Sequence, residues 1–473
     1  MKQCGRVLLS VGWWLRRWFG LLGACVAFFG AVEPVHAQER AEYAPPTSRP
    51  SSLPASSQKA DTPNQKADTP NQKADTPKAP IFQYEGNFGK KPTAADTPVV
   101  RGGIYDRPYI GRLGTSEALG GMSIALGGYT EFLGRYILQE GLTDGFSFEA
   151  RRFNLFVFSS IGRFVRLTAE LEFEQGTSSI ALETALVDFR FHRAFVLRGG
   201  ILLPPIGRFN IAHDGPRYDV IDRPLVSTRV IPSTYSDIGF GATGSFFPAL
   251  GHKLYYEIYA VNGLRSGIIN DSPEGTRIAR GKSLAIFAAN ENGSPALTGR
   301  IAYAGPSGLE VGFSGYVGIY NRYRDGAEEI DRALWLKIFA VDAEISLGPV
   351  TIRTEAAVAW IDIPDGLVEL FADTQWGIYA DVIWEFWKGR LGFLRESAFR
   401  LVGRVDYVDL HVGRFASTGQ EIGDETLRLT LALSFRPYEG TSLRVEYQHS
   451  WLTDRLGNVA RRAGVQFGVA TYF

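Results

Sequence analysis

Cysteine is nearly absent. The 473-residue chain holds 2, Cys4 and Cys25, and both fall in an N-terminal stretch that reads as an export signal. A mature chain without thiols has no disulfide scaffold, no cysteine-ligated zinc and no thiol nucleophile. An excess of charge of one sign is absent too. The 50 Lys and Arg balance 50 Asp and Glu, so nothing points to nucleic acid as a partner. Histidine is sparse, at 6. His192, His213, His252, His411 and His449 are scattered over turns and loops without ligand spacing, so neither a metal site nor a cofactor is expected. His449 and Ser450 are adjacent, which points them to opposite faces of a strand and not at one substrate. No Gly-rich nucleotide loop is present. The chain reads as a non-enzyme. Past the N-terminus no apolar run reaches the roughly 20 residues of a spanning helix. A soluble protein and a β-barrel membrane protein look alike at that level, because a barrel spreads its apolar signal thinly over strands.

What is present begins with a leader. Lys2, Arg6, Arg16 and Arg17 form a basic region, Trp18 to Val32 an apolar one, and Val35-His36-Ala37 a cleavage site, so residues 1–37 are expected to be removed. The rival readings are a membrane anchor, for which the apolar run is short, and lipidation at Cys25, past which the apolar residues continue. Residues 38–100 differ in texture. The heptapeptide Gln58-Lys59-Ala60-Asp61-Thr62-Pro63-Asn64 recurs at Gln65 and at Gln72, there ending in Lys78. A proline in each unit and the lack of an apolar seam exclude a coiled coil. With little apolar surface to offset ordering entropy, 38–100 reads as a disordered spacer, with an envelope tether as the functional alternative. Residues 101–122, rich in glycine, form a transition.

From 123 to 473 the pattern is uniform: segments of alternating residues separated by turn chemistry. In one, Leu427, Leu429, Leu431, Leu433 and Phe435 oppose Arg428, Thr430, Ala432 and Ser434. About sixteen such segments can be placed, from 123–138 through 146–159, 180–191, 334–346, 375–387 and 398–409 to 462–473. They are about twice the usual globular strand and match a tilted strand crossing a bilayer. Tryptophans such as Trp335, Trp360, Trp376, Trp384 and Trp451 crowd their ends, as interfacial girdles do. Short turns (160–163, 192–194, 305–308, 347–349, 437–440) alternate with longer connections (204–236, 264–294, 321–333, 362–374, 410–423, 453–461). The terminal segment, Arg462 to Phe473, has Val465, Phe467, Val469 and Phe473 on one face, and its edge needs a neighbour. The expected fold is therefore all-β: a transmembrane antiparallel β-barrel of about sixteen strands, the last paired with the first. Its end on Phe473 resembles the C-terminal assembly signal of bacterial outer-membrane proteins. Two segments break parity. Glu183 and Asp188 fall out of phase, and Lys337 lies on an apolar face, so each marks a bulge or a position above the membrane band.

Sixteen strands leave a water channel, here with a mixed-charge wall. The long connection 204–236 contains Phe209, Val220, Ile221, Leu225, Val226 and Ile231, which suit a loop folded into the lumen as a constriction. Its Arg208, Arg217, Arg223 and Arg229, with Arg198 of the adjoining strand, are the candidate anion-contacting residues, since planar guanidinium groups suit phosphate oxygens. The other reading is that Asp214, Asp219 and Asp222 neutralise them and the pairs hold the loop to the wall. The runs Leu202-Leu203-Pro204-Pro205-Ile206-Gly207-Arg208-Phe209-Asn210, Asp222-Arg223-Pro224 and Asp237-Ile238-Gly239-Phe240-Gly241 resemble the phosphate-selective (O/P-type) porin family. The resemblance spans roughly 123–473 and is densest in this central part. It implies a homotrimeric channel in outer-membrane lipid, with an infolded third loop, passing small solutes or inorganic anions such as phosphate. The basic ladder of a phosphate-specific member is not evident, since lysine is scarce in the barrel. The alternative function is an envelope-tethering structural protein.

Overall fold

A computed structural model describes residues 111–116, 122–269, 275–325, 328–364, 367 and 369–473. The export signal, the heptapeptide spacer and most of 101–122 lie outside the described residues. The strands are β1 (Gly111–Ser116), β2 (Met122–Gln139), β3 (Phe146–Ile161), β4 (Val165–Glu174), β5 (Ser179–His192), β6 (Phe195–Leu202), β7 (Asp237–Phe246), β8 (Lys253–Val261) and β9 (Ala296–Ala304). The second half follows with β10 (Glu310–Asp325), β11 (Glu328–Leu347), β12 (Val350–Ile361), β13 (Thr374–Leu391), β14 (Leu394–Asp409), β15 (Glu425–Tyr438), β16 (Thr441–Thr453) and β17 (Val459–Tyr472).

From β2 onward each strand pairs antiparallel with the next, and β17 pairs with β2 from Arg462↔Gln139 to Tyr472↔Tyr129. The 17 strands thus give a closed ring of sixteen, with β1 outside it. Phe473 exchanges both backbone hydrogen bonds with Gly128, at 3.0 and 3.2 Å. Past that point β1 pairs with Met122–Leu126 of β2 and carries on the edge that β17 leaves. The transitional segment therefore contributes a strand that its glycine-rich sequence did not suggest.

Closure leaves the ring without an edge, and alternation decides the faces. On β15, Leu429, Leu431 and Leu433 are exposed outside, while Arg428, Thr430, Ala432 and Ser434 are buried inside. Phe132, Phe153, Leu167, Ile258, Phe313, Phe339, Val382, Leu401 and Val445 likewise face outward on other strands. Such an apolar exterior is the surface a bilayer covers. The turns 162–164, 193–194, 305–309, 348–349 and 439–440 lie at one end of the barrel, with the junction of β17 and β2, while the β4–β5 turn at 175–178 is a short one at the other end.

Two expected loops are instead strand. β10 and β11 run on to Asp325↔Glu328, so 321–333 is mostly hairpin. β13 and β14 extend to Leu391↔Leu394. The parity break in β5 is a bulge. Glu170 pairs with Thr184 and Leu171 with Leu182, so Glu183 is the extra residue and both it and Thr184 face inward. Lys337 is different. It faces outward in an unbroken register, opposite Trp360 and in line with Trp335, so it is a cation on the outer face among tryptophans of the girdle, where a lysine stem lies along apolar surface.

Candidate constriction site

The loop from 203 to 236, which joins β6 to β7, folds into the barrel. It carries two short helices, α1 (Gly207–Ile211) and α2 (Leu225–Arg229), with a 3-10 turn, Gly215–Arg217, between them. Its two ends are clasped by Asn210, whose amide donates to Pro204 O at 2.7 Å and accepts from Tyr235 N at 2.9 Å. Gly207 opens α1 at φ +68, and a Cβ there would lie 2.6 Å from Glu355 Oε2. Only glycine meets both demands without strain.

Wall carboxylates accept from the loop backbone. Glu355 of β12 takes Arg208 N at 2.6 Å, Phe209 N at 3.0 Å and Ser227 Oγ at 2.5 Å. Asp406 of β14 takes Leu225 N at 2.8 Å, and Glu446 of β16 takes Ile221 N at 2.7 Å. Wall arginines donate in return: Arg404 to Asp222 O at 2.7 Å, Arg428 to Arg223 O at 2.8 Å and Arg151 to Ile221 O at 3.0 Å. Asp219 is gripped by Arg436 at 2.6 Å and Arg400 at 3.2 Å. Burial opposes the charge on Asp219 and Asp222, but arginines around each more than offset it and hold both carboxyls well below the usual range. Both therefore remain anionic at neutral pH. The loop is tied down by its aspartates and its backbone more than by its arginines.

Part of the other half of the lumen is apolar. Ile206, Leu225, Val226, Val230 and Ile231 of the loop pack with Leu334, Leu336 and Ile338 of β11 and with Leu264, Ile268, Ile278 and Ile286. The last four belong to the connection after β8, which also turns inward. The inner face of β11 is thus apolar where loops cover it, and not the polar wall of an open channel. The apolar residues of 264–294, Ile268, Ile278 and Ile286 among them, were the signal for a second infolded loop.

Between the constriction loop and the wall of β3 and β15 lies a polar cavity of about 260 Å³. Arg151 and Arg152 of β3, Arg428 of β15, and Arg223 and Arg229 of the loop line it, with Asp222 the only acidic residue in the lining. Asp222 is already held by Arg151 at 3.1 Å and by Gln448 and Gln466 at 2.9 Å each. No ion pair or hydrogen bond is recorded for the Arg223 and Arg229 side chains among the described residues, and Arg223 Nε and Nη2 are buried without a hydrogen-bond partner. Burial and neighbouring cations (Arg152 beside Arg223, Arg277 and Arg428 beside Arg229) push both guanidinium groups below their ordinary range. Behind the lining, Arg152 is paired with Glu131 at 3.0 Å and Arg428 with Asp406 at 3.0 Å, so among the described residues the cations of the cavity without such a carboxylate are those of the loop.

Of the five arginines singled out from sequence, the fold brings Arg223 and Arg229 to this cavity. Arg208 lies across the lumen against Glu344 at 3.2 Å and Glu310 at 3.5 Å. Arg217 meets Tyr472 OH at 3.2 Å and Asp214 at 3.5 Å. Arg198 makes a two-pronged pair with Asp188 at 2.7 and 3.0 Å. Arg151 and Arg152 were missed. They are neighbours in sequence, yet both face the lumen, because a bulge sets Glu131↔Arg152 beside Phe132↔Ala150 and leaves Arg151 as the extra residue.

A closed sixteen-strand barrel narrowed by an infolded loop defines an architecture. No protein-family model matches this chain. An uncharacterized protein of Aquifex aeolicus is 24% identical over 360 residues, which is 72% of this chain and 79% of that one. The outer membrane channel DcaP of Acinetobacter baumannii is similar in structure, with a TM-score of 0.48, 13% identity, and 76% of this chain and 99% of that chain covered. The anion-selective porin from Comamonas acidovorans has a TM-score of 0.48 at 11% identity, with 74% and 100% covered.

Proposed function

We propose that the protein is an outer-membrane porin that passes small hydrophilic solutes by diffusion and favours anions, with loop 204–236 as its constriction. The observation that carries this reading is the cavity wall, where five guanidinium groups and one carboxylate line the space and, among the described residues, Arg223 Nε and Nη2 are buried without a hydrogen-bond partner. In a confined, partly desolvated space such an excess attracts anions and repels cations. Arg198, Arg208 and Arg217 act beside it by shaping the loop and its wall. The resemblance to phosphate-selective porins extends the reading to phosphate as one of the anions carried, to a homotrimer, and to outer-membrane lipid as the surrounding partner.

The test is reversal potential in planar bilayers under a salt gradient. Arg223→Ala with Arg229→Ala should lower the anion-to-cation permeability ratio roughly threefold while assembly persists, because the strand ladders that close the barrel use neither side chain and Arg223 gives up only its place over the Phe209 ring. An unchanged ratio removes these residues from selectivity while the channel itself stands. Conductance in phosphate against chloride then measures the phosphate preference directly.

A further inference from the structure

We propose that Glu170, Glu183 and His213 form a divalent-cation site that pins the constriction loop to the barrel wall. The site joins three elements: β4 supplies Glu170, the bulge of β5 supplies Glu183, and the loop supplies His213 from between α1 and its 3-10 turn. Their ligand atoms all lie within 4.8 Å of one another. The residues are 0%, 3% and 2% exposed.

The imidazole carries the argument. His213 Nδ1 lies 3.1 Å from the carbonyl oxygen of Asn210, which only accepts, so Nδ1 bears the hydrogen. Nε2 then offers a lone pair. It has no hydrogen-bond partner, and it points at Glu183 Oε1 from 3.0 Å. A lone pair facing a carboxylate oxygen at that distance is repulsive unless something positive lies between or beside them. Arg223 is the nearby protein cation, and beyond it that something is a second proton or a metal ion. Ligands of one tetrahedral zinc sit roughly 3.3 Å apart, given bonds of about 2.0–2.2 Å, so the pair already has nearly that separation. Outer groups are in place as well. Asn154 Nδ2 donates to Glu170 Oε1 at 2.8 Å, and Glu172, next along the inner face of β4, is paired with Arg152 at 3.3 Å. Hydrogen bonds of this kind orient metal-binding carboxylates. One imidazole and two carboxylates, with no thiol, suit Zn²⁺ or Mn²⁺ better than Ca²⁺, which takes six to eight oxygens.

This departs from the expectation of no metal site, which rested on histidine spacing along the chain. A site built from one histidine and two strands has no such spacing to show.

The decisive measurement uses the full chain folded in detergent, stripped with a chelator and then offered Zn²⁺, Mn²⁺ or Ca²⁺ separately. One equivalent of Zn²⁺ or Mn²⁺ should be retained after desalting, and crystals should show one anomalous peak among Glu170, Glu183 and His213. His213→Gln and Glu183→Gln should each weaken retention roughly a hundredfold. The wild-type anomalous map decides even if a variant fails to assemble. No retained metal, or a peak elsewhere, overturns the proposal and leaves only a buried contact between His213 and Glu183. The readout is binding and not conductance, so it stands or falls separately from the porin reading.

Discussion

Glu355→Ala should release the constriction loop, raising single-channel conductance roughly twofold or more and adding rapid switching between levels. Glu355 is fully buried and accepts three hydrogen bonds that tie both helices of the loop to β12. Alanine leaves Arg208 N, Phe209 N and Ser227 Oγ without that acceptor in a buried site, at about 1–3 kcal/mol each before relaxation. The ladders of β12 with β11 and β13 are made by backbone and do not need the side chain, so the barrel itself should still form. Asp219 and its arginines hold the far side of the loop, which is why the result is a mobile constriction and not an empty lumen. Glu355→Gln keeps one carboxamide oxygen and should fall between. Conductance unchanged in the alanine variant, with the loop still protected from protease, would mean that the loop is held by its apolar face alone.

The barrel was legible in the sequence because a strand has a period of two and a membrane makes that period visible. Apolar residues on β15 and β17 alternate because one whole face of each strand is apolar, and in the barrel that face points outward. Boundaries placed from alternation fell within a few residues of the observed ones at most turns, as at 348–349. They failed where a strand outlives its turn signal. The polar residues near 321–333 read as loop, and the hairpin they form extends past the apolar pattern. The candidate site was less legible. Asp219 and Asp222 looked like neutralising partners for the loop's own arginines. Instead they bind arginines of β14, β15 and β3, some 180 or more residues later in the chain for the first two strands, a pairing that no local pattern encodes. Arg151 and Arg152 left a trace that was there to read. Phe146, Phe148 and Ala150 are even-numbered and outward, while Phe153, Leu155 and Val157 continue the outer face on odd numbers. The phase changes across the two arginines.

That phase change yields the last prediction, a contrast between two deletions. Removing Arg151 should leave the barrel able to assemble. Ala150 would then be followed by Arg152, so outward, inward and outward positions run on through Phe153 without a break, and the pairs Glu131↔Arg152 and Phe132↔Ala150 become consecutive. The outer aromatic cluster of Phe146, Phe148 and Phe467, with ring centroids 5.0–6.1 Å apart, keeps its face. Removing Leu431 from β15, whose ladder is regular from Thr426 to Phe435, has no bulge to absorb it. One half of that strand must invert, which sends either Arg428 or Ser434 and Arg436 outward and apolar residues into the lumen. An arginine on the lipid face alone costs about 2–4 kcal/mol near the bilayer midplane, and the lost Asp406–Arg428 pair at 3.0 Å adds to it. Heat-modifiable migration on gels should therefore persist in the first deletion and vanish in the second. The surviving variant has a functional signature as well. It lacks the guanidinium that holds Ile221 O and Asp222, so Asp222 is less neutralised, one cation has gone from the cavity, and anion preference should fall while assembly does not. If the Arg151 deletion abolishes assembly as completely as the Leu431 deletion, the bulge is part of what closes the barrel and not only the device that turns two consecutive arginines toward the lumen.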